Sequence, residues 1–188
     1  MKSKGFTLIE LVVVIVLIGI LAVVAAPRFL NIQNDTRTEV LKNLAGSIMS
    51  ATGSAYGKLA IDGLEHYSYV SNRPITDGNG IQADIPIAGC EIGASGYCVF
   101  RYGYADADPM TISNLVKGVE FRRGDGGDFA SIYGHLPGEQ HMSYITFKDN
   151  IKDLGDQMEE LKTNQCYIKY ASAQEDGDLP TIEVVPCS

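Results

Sequence analysis

The chain has 188 residues and a formal net charge of −8, enough for one domain plus an appended element. The acidic surplus argues against nucleic acid as a main partner, because phosphate binding draws on clustered Lys and Arg. No nucleophile elbow, P-loop, zinc-protease helix or dinucleotide glycine pattern occurs, so nothing points to an enzyme or to a cofactor.

The N-terminus begins with Lys2 and Lys4, then Gly5, then Phe6-Thr-Leu-Ile-Glu10, then an uncharged apolar run over 11–26. The two lysines favour a cytoplasmic start by the positive-inside tendency, which puts the rest across the membrane. Glu10 is a lone acid in a helix of membrane length, costing roughly 2.5–3.5 kcal/mol at a helix centre, and so reads as functional by default. Phe6 and Glu10 are four apart and share a helix face. An ordinary secretory signal would be cut after a small residue such as Ala26. Its apolar core would exceed the usual length, enclose Glu10 and leave Pro27 directly after the cut. A plain membrane anchor over 6–26, roughly 31 Å long, explains the length but neither Glu10 nor the Gly5–Phe6 junction.

From Arg28 the pattern becomes amphipathic. Phe29, Ile32, Val40, Leu41, Leu44, Ile48, Ala55 and Leu59 recur at near-helical spacing, which predicts one helix over 6–60, about 80 Å long. Pro27 lacks an N–H for the carbonyl of Val23, so the helix is weak there. Gly46, Ser50, Ala51, Gly53, Ser54 and Gly57 are expected to let a sheet approach closely, while lowering helix propensity.

Gly, Pro, Asn and Asp crowd the stretch 62–108, predicting a long irregular connection that holds Cys90 and Cys98. Strands are expected over 118–122, 130–133, 143–148, 165–171 and 181–185, forming an antiparallel sheet with one buried face. The segment 151–162 reads as a short helix capped by Asp149 or Asn150, with Gly155 against it. Helix first and strands last gives an α+β class.

The four cysteines follow a membrane-targeting segment, which points to the oxidising side of that membrane. They allow three pairings, of which sequence proximity favours Cys90–Cys98 and Cys166–Cys187. Their spacings fit no usual zinc pattern. Asp125-Gly-Gly-Asp128 and Glu175-Asp-Gly-Asp178 are weak calcium candidates without the full spacing of a calcium loop, and no metal is expected. His66, His135 and His141 form no i,i+4 pair.

The string KGFTLIELVVVIVLIGILAVVAAPRF resembles the N-terminus of a type IV prepilin. Two further stretches, VVVIVLIGILAVVAAPRFLNIQNDTR and the tail NQCYIKY…LPTIEVVPCS, are similar to the mannose-sensitive haemagglutinin (MSHA) type of major pilin. The resemblance implies the type IV pilin fold, a long helix whose second half packs on an antiparallel sheet, with a disulfide-bounded C-terminal loop. It divides the chain into a leader over 1–5, an apolar helix over 6–27, an amphipathic half over 28–60 and a globular head over 61–188.

It further implies cleavage after Gly5 and N-methylation of Phe6 by a prepilin peptidase/methyltransferase. Loss of Lys2 and Lys4 would take the charge from −8 to −10. In a family-like filament the cationic Phe6 amine of one copy would meet Glu10 of another, selecting the axial register. The segment between Gly19 and Pro27 would either kink or unwind on assembly. Cys166–Cys187 would correspond to the family's C-terminal loop, exposing 173–178. Assembly would take the chain from the bacterial inner membrane to a surface homopolymer, worked by machinery with a cytoplasmic ATPase. Adhesion to a glycan or surface receptor would follow from the MSHA likeness, with Tyr67, Tyr69, Tyr102 and Tyr104 as ring-stacking candidates. A secretion pseudopilin or minor pilin would share the same N-terminus.

Overall fold

The computed structural model describes residues 7–76, 78, 80–122, 124, 126–134, 142–155 and 158–188, with the side chains of 26–31 excepted. Helix α1 (Leu8–Ile61) is a single element of 54 residues, about 80 Å, unbroken through Gly19 and Pro27. Its first part, Leu8–Ala25, is the one helical segment among the described residues long and apolar enough to cross a membrane, and none of it is buried.

The second part is held by the head. Leu41, Ala45, Ile48, Thr52, Ala55 and Leu59 are buried, alternating steps of four and three so that one stripe faces inward. Each fully buried Leu or Ile contributes about 1.5–3 kcal/mol. Ile32 and Val40, expected in that stripe, lie on the exposed side. So do Gly46, Gly53 and Gly57, around which a Cβ would meet open space, so the sheet does not close on them. Ala45, Thr52 and Ala55 are the small residues that admit it. Several hydroxyls reconcile themselves with the helix by bonding the preceding turn, as Ser47 to the Asn43 carbonyl and Ser54 to that of Ser50. The helix ends where Gly63 takes φ +68°, with its N–H on the Ala60 carbonyl and that of Leu64 on Leu59.

The stretch expected to be irregular contains β1 (Val70–Ser71), β2 (Ile81–Gln82), β3 (Val99–Arg101) and β4 (Tyr104–Ala105), in the order β2-β1-β3-β4. Strands of two or three residues are too short for alternation to register. Cys90–Cys98 staples this layer, and Asn72 sews it, donating to the Gly96 carbonyl and accepting from the Cys98 N–H. Helix α2 (Pro109–Leu115) follows, capped by Asp108, whose carboxylate accepts the Thr111 N–H at 2.8 Å.

The main sheet comprises β5 (Val119–Phe121), β6 (Phe129–Tyr133), β7 (Met142–Phe147), β10 (Tyr167–Ala171) and β11 (Thr181–Val185), ordered β11-β10-β7-β6-β5. Every pairing is antiparallel except β5 with β6, which is parallel. Alternation divides its faces. Ile145, Ile168 and Tyr170 join the α1 stripe, Phe100 and Ile112 in the core, while Ala130, Ile132 and Tyr144 cover the far side with Ile151.

The expected helix over 151–162 is instead a hairpin, β8 (Ile151–Gly155) with β9 (Met158–Leu161). Gly155 at φ +79° and a register shift at Asp153/Gly155 bend the chain back where a helix would have continued. The expected caps serve elsewhere. Asp149 pairs with Arg37, and buried Asn150 donates to the Gln165 carbonyl and accepts from Thr163.

Candidate assembly site

The start of α1 is built by a capping box. Thr7 Oγ1 accepts the Glu10 N–H at 3.4 Å, and Glu10 Oε2 accepts the Thr7 N–H at 2.8 Å and the Thr7 hydroxyl at 2.7 Å. The carboxylate therefore sits against the positive end of the helix, satisfying donors that lipid could not. Both bonds fall on Oε2; Oε1 makes no hydrogen bond among the described residues. Thr7 is a residue that the sequence reading passed over, although Thr-x-x-Glu before an apolar run is its signature. Lys2, Lys4, Gly5 and Phe6 lie outside the described residues, as does the side chain of Pro27. Gly19 lies mid-helix with nothing within 4 Å of a Cβ placed there.

From Ile9 to Val24 the large apolar side chains stand 43–76% exposed, so among the described residues this segment has no packing partner. Among the described residues, the first hydrogen bonds between α1 and the head come at Arg37 and Thr38. Arg37 grips Asp149 bidentately at 2.8 and 2.6 Å, with its guanidinium 4.1 Å above the Phe147 ring. The hydrogen bond to Arg37 holds the Asp149 carboxyl below its usual range. Thr38 Oγ1 accepts the Cys187 N–H at 3.0 Å, tying the chain's last cysteine to the helix. Higher up, the buried Tyr170 hydroxyl donates to the Ala105 carbonyl at 2.7 Å, and Thr52 Oγ1 accepts the Ala105 N–H. Burial pushes the Tyr170 phenol up, so it stays a neutral donor.

Cys166 bonds Cys187, closing a loop that carries β10 and β11. Between those strands Ala173 is buried, contrary to expectation, and the exposed stretch runs over 174–179. Its turn closes with the Asp178 N–H on the Glu175 carbonyl and the Glu175 N–H on the Asp178 carboxylate. Asp176 reaches back to His66 Nδ1 at 3.0 Å, and Glu65 lies 3.3 Å from Nε2. The hydrogen bond to Asp176 raises the His66 ring above its usual value. The two acidic turns thus have different fates. Asp176 and Asp178 are engaged within the chain, while Asp125 lies outside the described residues, as do His135 and His141. Among the described residues no group of three or more His, Cys, Asp or Glu is placed to hold a metal.

The tyrosines separate as well. Tyr104 stacks on Tyr56 at 4.6 Å, Tyr69 shares a 2.8 Å hydroxyl contact with Tyr97, and Tyr102 turns the β3–β4 corner at φ +48°. Tyr67 is the one of the four with an exposed ring.

Residues 1–26 match the family model described as the prokaryotic N-terminal methylation motif. The chain is 45% identical over 51 residues to the type IV narrow pilus major component PilA5 of Thermus thermophilus, covering 27% of this chain and 44% of that protein. It is 35% identical over 57 residues to the type IV major pilin protein PilA of Myxococcus xanthus, covering 30% of this chain and 26% of that protein. The chain thus spans less than half the length of these curated relatives. No solved structure matches it significantly. A methylation motif, pilin relatives, an apolar helix running into a head, and a C-terminal disulfide together make this a type IV pilin-like α+β chain.

Proposed function

We propose that the chain is the structural major subunit of a bacterial type IV pilus, made as an inner-membrane prepilin and polymerised through its N-terminal helix. The carrying observation is the contrast within α1, which leaves its first part uncovered and continuous with a helix that the head does cover. Bare apolar surface of that extent fits lipid or other helices of the same kind.

In this reading a peptidase/methyltransferase cuts after Gly5 and methylates Phe6, preserving its positive charge. The Phe6 ammonium of one copy then meets Glu10 of another. The capping box occupies Oε2 and leaves Oε1 to receive it. A wrong stagger would leave a half-satisfied carboxylate among apolar side chains, so the pair selects register more than it adds stability. Extraction from lipid gains little hydrophobic energy, and a cytoplasmic ATPase machine supplies the work. The MSHA likeness extends the reading to adhesion and attachment. A glycan or surface receptor would be the ligand, with Tyr67 as the ring-stacking candidate.

Intact and peptide mass analysis of material sheared from cells, without reductant, tests this. The expected result is a dominant species starting at methylated Phe6, with both disulfides intact. The same processed chain confined to membranes would favour a pseudopilin or minor pilin. A chain starting near Pro27 would refute the pilin reading.

A further inference from the structure

Two separate surface features of the head match each other in chemistry. Between α1 and α2 lies a groove of about 350 Å³, with Ala51, Ala55, Ile87 and Leu115 along it and Lys58 and Lys117 at its rim. Both lysines are exposed, and neither has an ion-pair partner among the described residues. Helix α2 packs on β5 and β6, so this wall of the groove lies toward the β5 edge, while α1, its other wall, packs on β10 and β11.

The turn between β10 and β11 belongs to the other edge, because β11 is the last strand on that side. It presents Leu179, 66% exposed, beside the exposed acids Glu175 and Asp178. The turn is held in advance: Cys166–Cys187 staples the strands that carry it, and Asp176 is tied back to His66. An apolar knob flanked by carboxylates thus matches in chemistry an apolar groove flanked by ammonium groups. An ordered knob loses less conformational freedom on docking than a free loop would.

We propose that the 174–179 turn of one copy docks in the α1–α2 groove of the next copy. Leu179 covers the Ala51–Leu115 floor, while Glu175 and Asp178 face Lys58 and Lys117. The contact joins two unlike patches, so it is heterologous and repeats without closing unless the rotation happens to complete a ring. This proposal rests on the filament reading above and supplies its head-to-head contact; charge complementarity fixes which patch meets which.

The test uses the full chain in its assembling cell. Leu179→benzoylphenylalanine is irradiated in sheared fibres, and the cross-linked peptides are identified by mass. Cross-links from 179 to peptides holding 51–58, 87 or 115–117 of another copy are expected; cross-links elsewhere, or none, in fibres that do form would overturn the docking. In parallel, Lys58→Glu with Lys117→Glu should lower fibre yield about tenfold, as should Glu175→Lys with Asp178→Lys, because each sets like charges together. All four together should restore yield to within about threefold of the parent. Equal loss in the combined variant, with heads that keep both disulfides, would also overturn the docking. Absence of fibres from the unaltered chain would instead sink the filament reading, and the docking with it.

Discussion

The two parts of α1 share one backbone and differ in what holds them. Over 41–59 a single stripe is buried against β4, β10, β11 and α2, and the opposite face is Gly, Ser, Lys and Asn. Over 8–25 no face is buried and every face is apolar, Glu10 apart. A stripe is the pattern of a helix with one neighbour, and apolarity all round is the pattern of a helix surrounded. The difference teaches that the head's stability resides in the second segment of this element and the proposed assembly in the first, and substitutions should separate them.

Glu10→Ala should have the largest effect. The chain should remain processed and membrane-bound while sheared fibres disappear, since the register-selecting carboxylate and its half of the capping box are both lost. Normal fibre yield would defeat the pairing. Thr7→Ala sharpens the result: it removes the cap hydroxyl, worth about 1 kcal/mol, but keeps the carboxylate, so fibres should persist at reduced yield.

The next pair breaks the comparison directly. Ile48→Ala should cost the head about 2–5 kcal/mol, because it opens a cavity in the core beneath a side chain only 1% exposed. Ile15→Ala, at a site 58% exposed, should leave head unfolding in detergent unchanged within about 0.5 kcal/mol. Equal losses would mean that the first part of α1 packs on its own head.

Removing the staple at Cys166 and Cys187 by paired Ser substitution should cost about 3 kcal/mol in denaturant unfolding, the value for a loop of this length. The residue-187 backbone N–H that bonds Thr38 survives this change but is no longer anchored by the disulfide, so the helix–head junction should loosen, read as faster hydrogen exchange over 181–185.

The sequence carried this division clearly at its extremes and poorly between. Glu10, the apolar run and the long β7, β10 and β11 were legible because charge, hydropathy and alternation each extend over enough residues to stand out. The strands β1 to β4 were not, since two or three residues carry no period. Helix α2 had a readable start in Asp108-Pro109, an N-cap followed by proline at the first helical position, but only two turns of pattern behind it. The hairpin at 151–161 was misread because Ile151, Leu154, Met158 and Leu161 fall at helical spacing. The structure buries Ile151 and leaves Leu154 and Met158 exposed, 45% and 54%. Gly46, Gly53 and Gly57 were assigned to the wrong side of α1, because small residues fit equally against a sheet or toward solvent, and only the burial of Ala45, Thr52 and Ala55 decides between them.

At the junction itself, Arg37→Ala should cost about 1 kcal/mol, discounted because Asp149 is 65% exposed and the pair is screened by salt. The sign with pH follows from Asp149, whose carboxyl is held low by Arg37. The stabilisation is fully present above the unfolded value of about 3.9 and is lost as pH falls through the folded one. Parent and variant should therefore converge in stability in strong acid and differ at neutrality. A difference that grew on acidification would contradict the assignment.

The smallest effect is expected at the other end of the head, where His66 stands between Asp176 and Glu65 and runs the opposite way with pH. Protonation gives both ring nitrogens a carboxylate partner, and the hydrogen bond to Asp176 is the larger cause of the raised ring value. A raised folded value means that the stabilisation is complete below the unfolded value of about 6.5 and is lost as pH climbs through the folded one. His66→Gln should therefore lie below the parent at pH 5 and match it at pH 9, with the 174–179 turn exchanging amide hydrogens faster once the ring is neutral. NMR titration of the His66 ring checks the cause, since Asp176→Asn should bring it back toward its ordinary value. A parent ring that titrates at or below that value would show that the contact does not hold the turn, and the turn's order would then rest on its Glu175–Asp178 bonds and the stapled strands that carry it.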